Sequence, residues 1–210
     1  FPTKAKAQSW ADKNAVSIAD HDWTDPQLKK QTLAHVALPW LARIHTLSPS
    51  TRRVYTIAWN NHVDPYWGHQ PIGSIVPSMV QQWVDTQSGG AVTIRRNVNV
   101  LAQILDYAVR DGALKTNPAR GVMLPKKSKG VQVYLTAEQL TMLADEAGDN
   151  AVIVLLLGTV GLRWGELAGL KVGDIHFLAR RIHVQRNAVT VGNDVVVGSV
   201  KTGQDRWVSV

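Results

Sequence analysis

The stretch VTIRRNVNVLAQILDYAVRDG, residues 92–112, constrains the fold more than any other part of this chain. At about 100° of rotation per residue, its apolar side chains fall on one stripe, which consists of Ile94, Val98, Leu101, Leu105 and Ala108. Arginine, asparagine and glutamine side chains occupy the opposite side, and Gly112 ends the pattern. The periodicity predicts a long amphipathic helix whose apolar stripe needs other helices to cover it.

Most of the remaining chain is also predicted to be helical. Before residue 92, helices are predicted over residues 3–19, 32–45, 51–63 and 77–86. Pro39 predicts a kink or restart in the second of these, and Val54, Ile57 and Ala58 are the predicted core face of the third.

The last third of the chain combines helices with strands. Thr136 and Gln139 predict a capping box that begins a helix to about residue 147. The apolar run 151–160 predicts a buried helix, and a short helix should end near Leu170. From residue 181 the pattern alternates, and three antiparallel strands are predicted over RIHVQ, VVVGSV and RWVSV, with turns at 192–194 and 202–205. The predicted fold class is mainly α with a small antiparallel β-sheet.

Composition and charge both change within LPKKSKGVQV, residues 124–133, and this change predicts a linker. A helical domain would then cover residues 25–123 and a second domain residues 134–210. Residues 1–130 carry 16 Lys and Arg against 8 Asp and Glu, whereas residues 131–210 carry 7 against 8. The basic first part indicates binding to a polyanion such as nucleic acid, although a skewed surface charge on an ordinary soluble protein explains the counts equally well.

Several kinds of site are excluded by the residues themselves. The absence of cysteine excludes disulfides, thiolate metal sites and a cysteine nucleophile, and it suits a reducing compartment. No His-Glu-x-x-His pattern supports zinc, and Val200 stands where a phosphate-binding P-loop needs glycine. The longest apolar run, Ala151–Leu157, is too short to cross a bilayer. We therefore predict no metal, no cofactor and no membrane partner.

Arg163 directly follows an apolar run in the segment TVGLRWGELAGLKVGD, residues 159–174, and Glu166 comes three residues later. A guanidinium group presents a planar fork of donors that matches two phosphate oxygens and stays charged at any working pH. An ion pair between Arg163 and Glu166 at i,i+3 explains the same spacing without a ligand. The residues alone leave both interpretations open.

Two further sets of polar residues have both a functional and a structural interpretation. Lys201 is predicted at the tip of a hairpin between VVVGSV and the strand of Arg206, where it could donate a proton or be an ordinary charged turn residue. The polar faces of the helices over 51–63 and 93–111 suit contact with DNA phosphates and base edges, but they also suit a solvated surface. These faces carry Arg52, Arg53, Arg95, Arg96, Asn99 and Gln103.

Read together, these residues resemble the tyrosine recombinase family, in particular the phage-type integrases. The family's box around its first catalytic arginine, T-G-L-R-x-x-E-L-x-x-L-x-x-x-D, is matched from Gly161 to Asp174, and only the leading Thr-Gly is altered. Val200-Lys201-Thr202 to Arg206-Trp207-Val208 resembles the hairpin that carries the catalytic lysine, with Asp205 where a serine-like residue is usual. Residues 51–68 and 108–119 resemble the helical core-binding domain, a SAM-like bundle, and residues 1–24 resemble the tail of an arm-site-binding domain with its tether.

The resemblance implies a DNA strand-exchange reaction without metal or ATP. A tyrosine attacks the scissile phosphate and forms a 3′-phosphotyrosine, while the 5′-oxygen leaves. Arg163 would stabilise the charge on the non-bridging oxygens, Lys201 would protonate the leaving oxygen, and Glu166 would support the arginine. The linker lysines Lys126, Lys127 and Lys129 would lie near phosphates as the two domains clamp the duplex.

The family also needs a His-x-x-Arg segment, a further His or Trp and the nucleophilic tyrosine, all after the hairpin. None of these follows the hairpin in this sequence. Tyr55, Tyr66, Tyr107 and Tyr134 all precede the arginine box, so none of them matches the nucleophile. We therefore expect the chain to be a fragment of a longer cytoplasmic, nucleoid-associated enzyme, and to bind DNA without cleaving it.

The expected partners are double-stranded DNA with core-type attachment sites, further copies in a synaptic tetramer, and a host DNA-bending protein and directionality factor. One alternative is a DNA-binding regulatory protein with a degenerate recombinase fold. Another is a helical protein-interaction module without affinity for DNA.

Overall fold

The computed structural model describes residues 2–19, 24–128, 130–200 and 203–210, with the backbone alone over residues 13–19. The chain divides into two compact units, Phe1–Ser128 and Lys129–Val210, called the helical unit and the mixed unit below. The predicted fold class is confirmed, because the chain is mainly helical and its strands form small antiparallel sheets.

The helical unit contains seven α-helices within its described residues: α1 Lys4–Ala19, α2 Leu33–Val36, α3 Leu38–Ile44, α4 Pro49–Ala58, α5 Asp64–Trp67, α6 Pro77–Thr86 and α7 Ala91–Arg110. A π-helical turn, Trp59–Val63, joins α4 to α5. The restart predicted at Pro39 is confirmed, since α2 ends at Val36 and Pro39 lies in the first turn of α3. Proline is tolerated in a first turn because its missing N–H has no partner there in any case.

Helix α7 is the centre of the helical unit and contacts α2, α3 and α4. Its predicted stripe is buried, but so are Val100, Ala102 and Ile104 outside that stripe. Neighbouring helices therefore cover more than one side of α7. The predicted core face of α4 is partly wrong, because Ile57 is 41% exposed while Ala58 and Trp59 are buried. Successive residues on a helix point about 100° apart, so turning Ala58 towards α7 turns Ile57 away.

The mixed unit contains three described helices, α8 Ala137–Glu146, α9 Ala151–Leu155 and α10 Trp164–Ala168. Strands β1 Ile175–His176, β2 Arg181–Val184 and β5 Arg206–Ser209 form one sheet in the order β1-β2-β5. Strands β3 Arg186–Val191 and β4 Asp194–Ser199 form a separate hairpin. The prediction of three strands in one array is therefore wrong. It missed β3, which follows β2 after a single residue and pairs with VVVGSV.

The run 151–160 is helical as predicted, but the prediction that it is buried is wrong. The run forms α9 and a π-helical turn, Leu156–Val160, and none of its side chains is buried. Leu156 and Leu157 pack on a small core of Leu162, Ile182, Val184 and Val200, whereas Val152 is 59% exposed. Leu155 is also 40% exposed, so the described residues of the mixed unit leave part of α9 uncovered. Within the described part of the chain, no helix has the length and apolar character needed to cross a membrane.

Candidate functional site

Arg163 reaches the surface because of the backbone that precedes it. Gly161 ends the π-helical turn with φ 70, a left-handed conformation that glycine adopts without steric penalty. Leu162 then enters the small core and is 5% exposed. Arg163 is extended and is the N-cap residue of α10, so its side chain points outward and is 59% exposed.

Glu166 accepts two hydrogen bonds from Arg163. Its Oε2 accepts the backbone N–H of Arg163 at 2.9 Å, which satisfies a donor at the start of α10. Its Oε1 accepts Nη1 of the Arg163 guanidinium at 2.9 Å. Among the described residues, Nε and Nη2 of Arg163 have no further hydrogen-bond partner. The i,i+3 ion pair therefore exists, and it occupies one of the three guanidinium nitrogens.

Arg206 is the second cation on Glu166, and the predictions from sequence did not include it. Its Nη1 and Nη2 donate to Oε1 and Oε2 of Glu166 at 2.9 and 2.8 Å, which is the two-pronged geometry of a strong arginine–carboxylate pair. The sequence held only a partial signal: Arg206 and Val208 keep the R-x-V spacing that ends the family's hairpin pattern K-T-x-x-S-x-R-x-V, but Arg206 lies one residue closer to Lys201 than that pattern requires. Its partner, 40 residues away, could not be inferred from that pattern.

The electrostatics of this cluster leave a positive charge at the surface. Hydrogen bonds from Arg206, opposed by burial and aided by the Arg163 N–H and guanidinium, lower the pKa of Glu166 to about 2. The carboxylate raises the pKa of Arg206 in return. At neutral pH two guanidinium groups thus share one ionised carboxylate, and the net positive charge lies on the exposed side, at Arg163. Such a group can bind an anion without being reorganised first.

Asp174, which closes the arginine box, has a purely internal set of partners. It is 5% exposed and accepts from Arg186, from Nε2 of Gln185 at 2.8 Å and from the N–H of Lys171 at 2.8 Å. Burial alone would raise the pKa of Asp174, but the hydrogen bonds from Arg186, Lys171 and Gln185 lower it to about 2.

Lys201, the candidate proton donor, comes after β4 and before β5 in the sequence, and these two strands belong to different sheets. Lys201 and Thr202 lie outside the described residues, as does the linker residue Lys129. The prediction that VVVGSV and the strand of Arg206 form a hairpin is wrong, because β4 pairs with β3 and β5 pairs with β2.

Side-chain contacts fix the beginning of β5 in that segment. Asp205 contacts Nε2 of His183 at 2.6 Å. The His183 ring lies flat on Trp207, with centroids 4.4 Å apart.

The predicted DNA-contacting residues of the helical unit differ in how exposed they are. Arg52 and Arg53 are exposed on α4, and Arg96 and Asn99 are half-buried on α7. Arg95 donates from Nε to the carbonyl of Pro125 at 2.9 Å, which holds the chain just before Lys126 and Lys127 against α7. Both of these lysines are exposed.

Gln103 differs from the other residues of this set. Its Oε1 accepts Nε1 of Trp40 at 3.1 Å, and its Nε2 donates to the hydroxyl of Tyr55 at 3.4 Å. Trp40 and Tyr55 stack on each other with centroids 5.9 Å apart. The amide of Gln103 thus belongs to an internal network between α3, α4 and α7, which favours a packing role over contact with a base edge.

Comparison with known proteins is consistent with this geometry. Residues 33–123 match the phage integrase central domain family. An integrase of Mycobacterium phage D29 is 27% identical over 96% of this chain, and the alignment covers 56% of that protein. A tyrosine recombinase XerC of Mannheimia succiniciproducens is 36% identical over 41% of this chain and 32% of its own length. The chain thus spans a little over half the length of the phage relative.

The fold is also found among solved structures. The integrase of transposon Tn1549, solved with transposon right-end DNA, superposes with a TM-score of 0.72 at 21% identity, over 85% of this chain and 61% of its own. Three observations agree with that fold: the match to the central domain, the alignment with a phage integrase along nearly the whole chain, and the arginine box. Residues 33–123 thus match the phage integrase central domain, and the chain as a whole is similar to phage integrases and to tyrosine recombinases.

Proposed function

We propose that this chain is the DNA-binding part of an enzyme that recombines DNA at specific sites through a 3′-phosphotyrosine intermediate. The observation that carries the proposal is the Arg163–Glu166–Arg206 cluster, in which a buried carboxylate holds an exposed guanidinium group in place. The match of residues 33–123 to the phage integrase central domain and the alignment with phage integrases support the reaction class.

In this proposal Arg163 binds the scissile phosphate. The transition state of phosphoryl transfer spreads negative charge over the non-bridging oxygens, and a cation fixed beforehand stabilises that charge best. Lys201 protonates the leaving 5′-oxygen as the tyrosine oxygen bonds to phosphorus. Glu166 supports Arg163, and none of the four tyrosines of the chain is assigned as the nucleophile.

The helical unit supplies most of the affinity for DNA. Arg52, Arg53, Arg95 and Arg96 contact phosphates, and Asn99 suits a base edge. Because Arg95 fastens Pro125 to α7, Lys126 and Lys127 extend the same basic surface, and Lys129 follows them in sequence. Gln103 is left out of this surface because its amide is already engaged.

The wider assembly follows from the same proposal. The partner is double-stranded DNA with core-type attachment sites, and the solved Tn1549 integrase was captured with transposon DNA. Residues 1–24 are the tail of an arm-site-binding domain, residues 25–123 the core-binding domain, residues 124–133 the linker, and residues 134–210 the first part of the catalytic domain. Four copies form the synaptic complex, aided by a DNA-bending protein and a directionality factor.

The test compares binding with cleavage. In the full-length parent, Arg163→Lys should reduce strand cleavage far more than DNA affinity, because lysine retains the charge but cannot make the two-pronged contact. Equal losses in both measurements would contradict a phosphate-binding role. The 210-residue chain should shift a core-type duplex in a gel without nicking it, and turnover of a nicked suicide substrate would contradict the assignment.

The alternative of a regulatory DNA-binding protein is not favoured, since the relatives aligned along the chain are named integrases. It predicts that the full-length parent binds the same duplex and never forms a covalent protein–DNA adduct.

A further inference from the structure

We infer that Arg206 is a positioning residue for Arg163: by neutralising Glu166, it leaves the outer part of the Arg163 guanidinium available to an anion. This inference rests on the proposed function, in which Arg163 binds a DNA phosphate. Arg206 is assigned the positioning role because both of its terminal nitrogens donate to Glu166 and its side chain is less exposed than that of Arg163.

The hydrogen bonds of Glu166 show how the two arginines divide one carboxylate. Oε1 accepts from Nη1 of Arg163 and Nη1 of Arg206, and Oε2 accepts from the backbone N–H of Arg163 and Nη2 of Arg206. The side chain of Glu166 is 1% exposed, whereas those of Arg163 and Arg206 are 59% and 35% exposed. The carboxylate is therefore saturated from within the protein.

Removing Arg206 would change what Arg163 does. Glu166 would keep a single cationic partner and two vacant acceptor positions, which attract the second terminal nitrogen of Arg163. The remaining pair would carry no net charge, whereas the native cluster has one positive charge in excess. Loss of one unit charge a few ångströms from a bound phosphate should weaken binding there by about tenfold.

The fold holds Arg206 in position independently of Arg163. Its backbone lies on β5, opposite Val184 of β2. The preceding residue, Asp205, is fastened to His183 at 2.6 Å, and the following residue, Trp207, stacks on the same histidine. The β2–β5 pair therefore delivers the guanidinium to Glu166, the carboxylate that Arg206 shares with Arg163.

The experiment uses the 210-residue chain labelled with ¹⁵N-arginine, with inorganic phosphate as the probe. The Nε–H resonance of Arg163, identified by its loss in Arg163→Met, reports phosphate binding in a titration. Arg206→Met should shift this resonance and reduce phosphate affinity about tenfold. Adding Glu166→Gln to Arg206→Met should restore most of the affinity, because the buried negative charge is then gone as well.

Two further variants separate this mechanism from a loss of structure. Arg186→Met removes a comparable buried arginine–carboxylate contact from the same unit and should leave the phosphate affinity within about twofold of the wild type. Arg206→Lys keeps the charge beside Glu166 and should retain most of the affinity even if Arg206→Met does not fold.

Three results would overturn the inference: phosphate affinity unchanged in Arg206→Met, a double variant as weak as the single variant, or Arg206→Lys losing tenfold while folded. A separate cleavage assay on the full-length parent tests the proposed function. If Arg163→Met cleaves DNA as the wild type does, the proposed role of Arg163 fails, while the phosphate titration still tests the relation between Arg206 and Arg163.

Discussion

The guanidinium of Arg186 contacts the buried carboxylate of Asp174, 12 residues earlier in the chain, and so fastens the segment after α10 to strand β3. Glu166 and Arg206 make an equivalent contact at the beginning of α10. Both carboxylates are buried, and hydrogen bonds keep both ionised. The two ion pairs thus act at different places: Arg206 contacts the helix that begins next to Arg163, whereas Arg186 contacts the segment that follows this helix.

The first prediction concerns acid stability. The pKa values of Glu166 and Asp174 are about 2 in the folded chain, below their ordinary values of 4.5 and 3.8. A depressed folded-state pKa stabilises the fold above the ordinary pKa, and this contribution is lost as the pH falls towards the folded value. The unfolding temperature of the mixed unit should therefore decrease between about pH 4.5 and pH 2. Glu166→Gln should make this decrease shallower, and a midpoint that stays constant down to pH 2 would contradict the assignment.

The second prediction separates packing from recognition at Gln103. Gln103→Ala leaves Nε1 of the buried Trp40 without its acceptor, so the free energy of unfolding should fall by about 1–3 kcal/mol. Because the amide is turned inward, the folded variant should keep its DNA affinity and its preference among duplex sequences. Urea denaturation and a competition binding assay measure the two effects. If Gln103→Ala left the stability unchanged but altered the base preference, Gln103 would be a DNA-contacting residue.

The third prediction compares two glycines next to the candidate site. A Cβ at Gly165 would lie 2.2 Å from Oδ1 of Asn187 and 3.0 Å from the Ala188 carbonyl oxygen, so Gly165→Ala should push α10 away from β3 at a cost of about 1–3 kcal/mol. Gly161 has open space but a φ of +70, so Gly161→Ala should cost about 1 kcal/mol through backbone strain alone.

Amide hydrogen exchange in β3 distinguishes these two causes. It should accelerate strongly in Gly165→Ala and little in Gly161→Ala. Adding Asn187→Ala to Gly165→Ala should restore part of the lost stability, because it removes the clash with the Asn187 side chain. The clash with the Ala188 carbonyl oxygen remains, so the recovery should be incomplete. No relief at all would show that the contact with Asn187 is unimportant.

The fourth prediction concerns the basic surface of the helical unit. If Arg52 and Arg96 each neutralise one phosphate, replacing either with alanine should reduce the slope of log affinity against log salt concentration by about 1. Binding should weaken for all duplex sequences alike. Lys30→Ala, an exposed lysine outside the proposed surface, is the matched control and should leave the slope unchanged. A wild-type affinity that does not depend on salt would contradict the electrostatic account.

Local patterns in the sequence were enough to predict where most of the helices lie. The capping box at Thr136 forms with both of its reciprocal hydrogen bonds, and residues 91–110 form one long helix. These features depend on residues three or four positions apart, whose interactions the order of amino acids specifies directly. The left-handed conformation of Gly161 before Arg163 was not predicted from the sequence.

What the tertiary structure decided depends on residues that are distant in sequence. Gln103 turns inward because Tyr55, 48 residues earlier, meets it there, although its helical position equally suits an outward face. VVVGSV pairs with β3 because register and partner are set by packing, which alternation alone does not specify. Arg163 and Glu166 are neighbours by sequence, but Arg206 reaches them only through folding. That third residue turns a simple ion pair into a site with positive charge in excess, because charge balance depends on every group that the fold brings together.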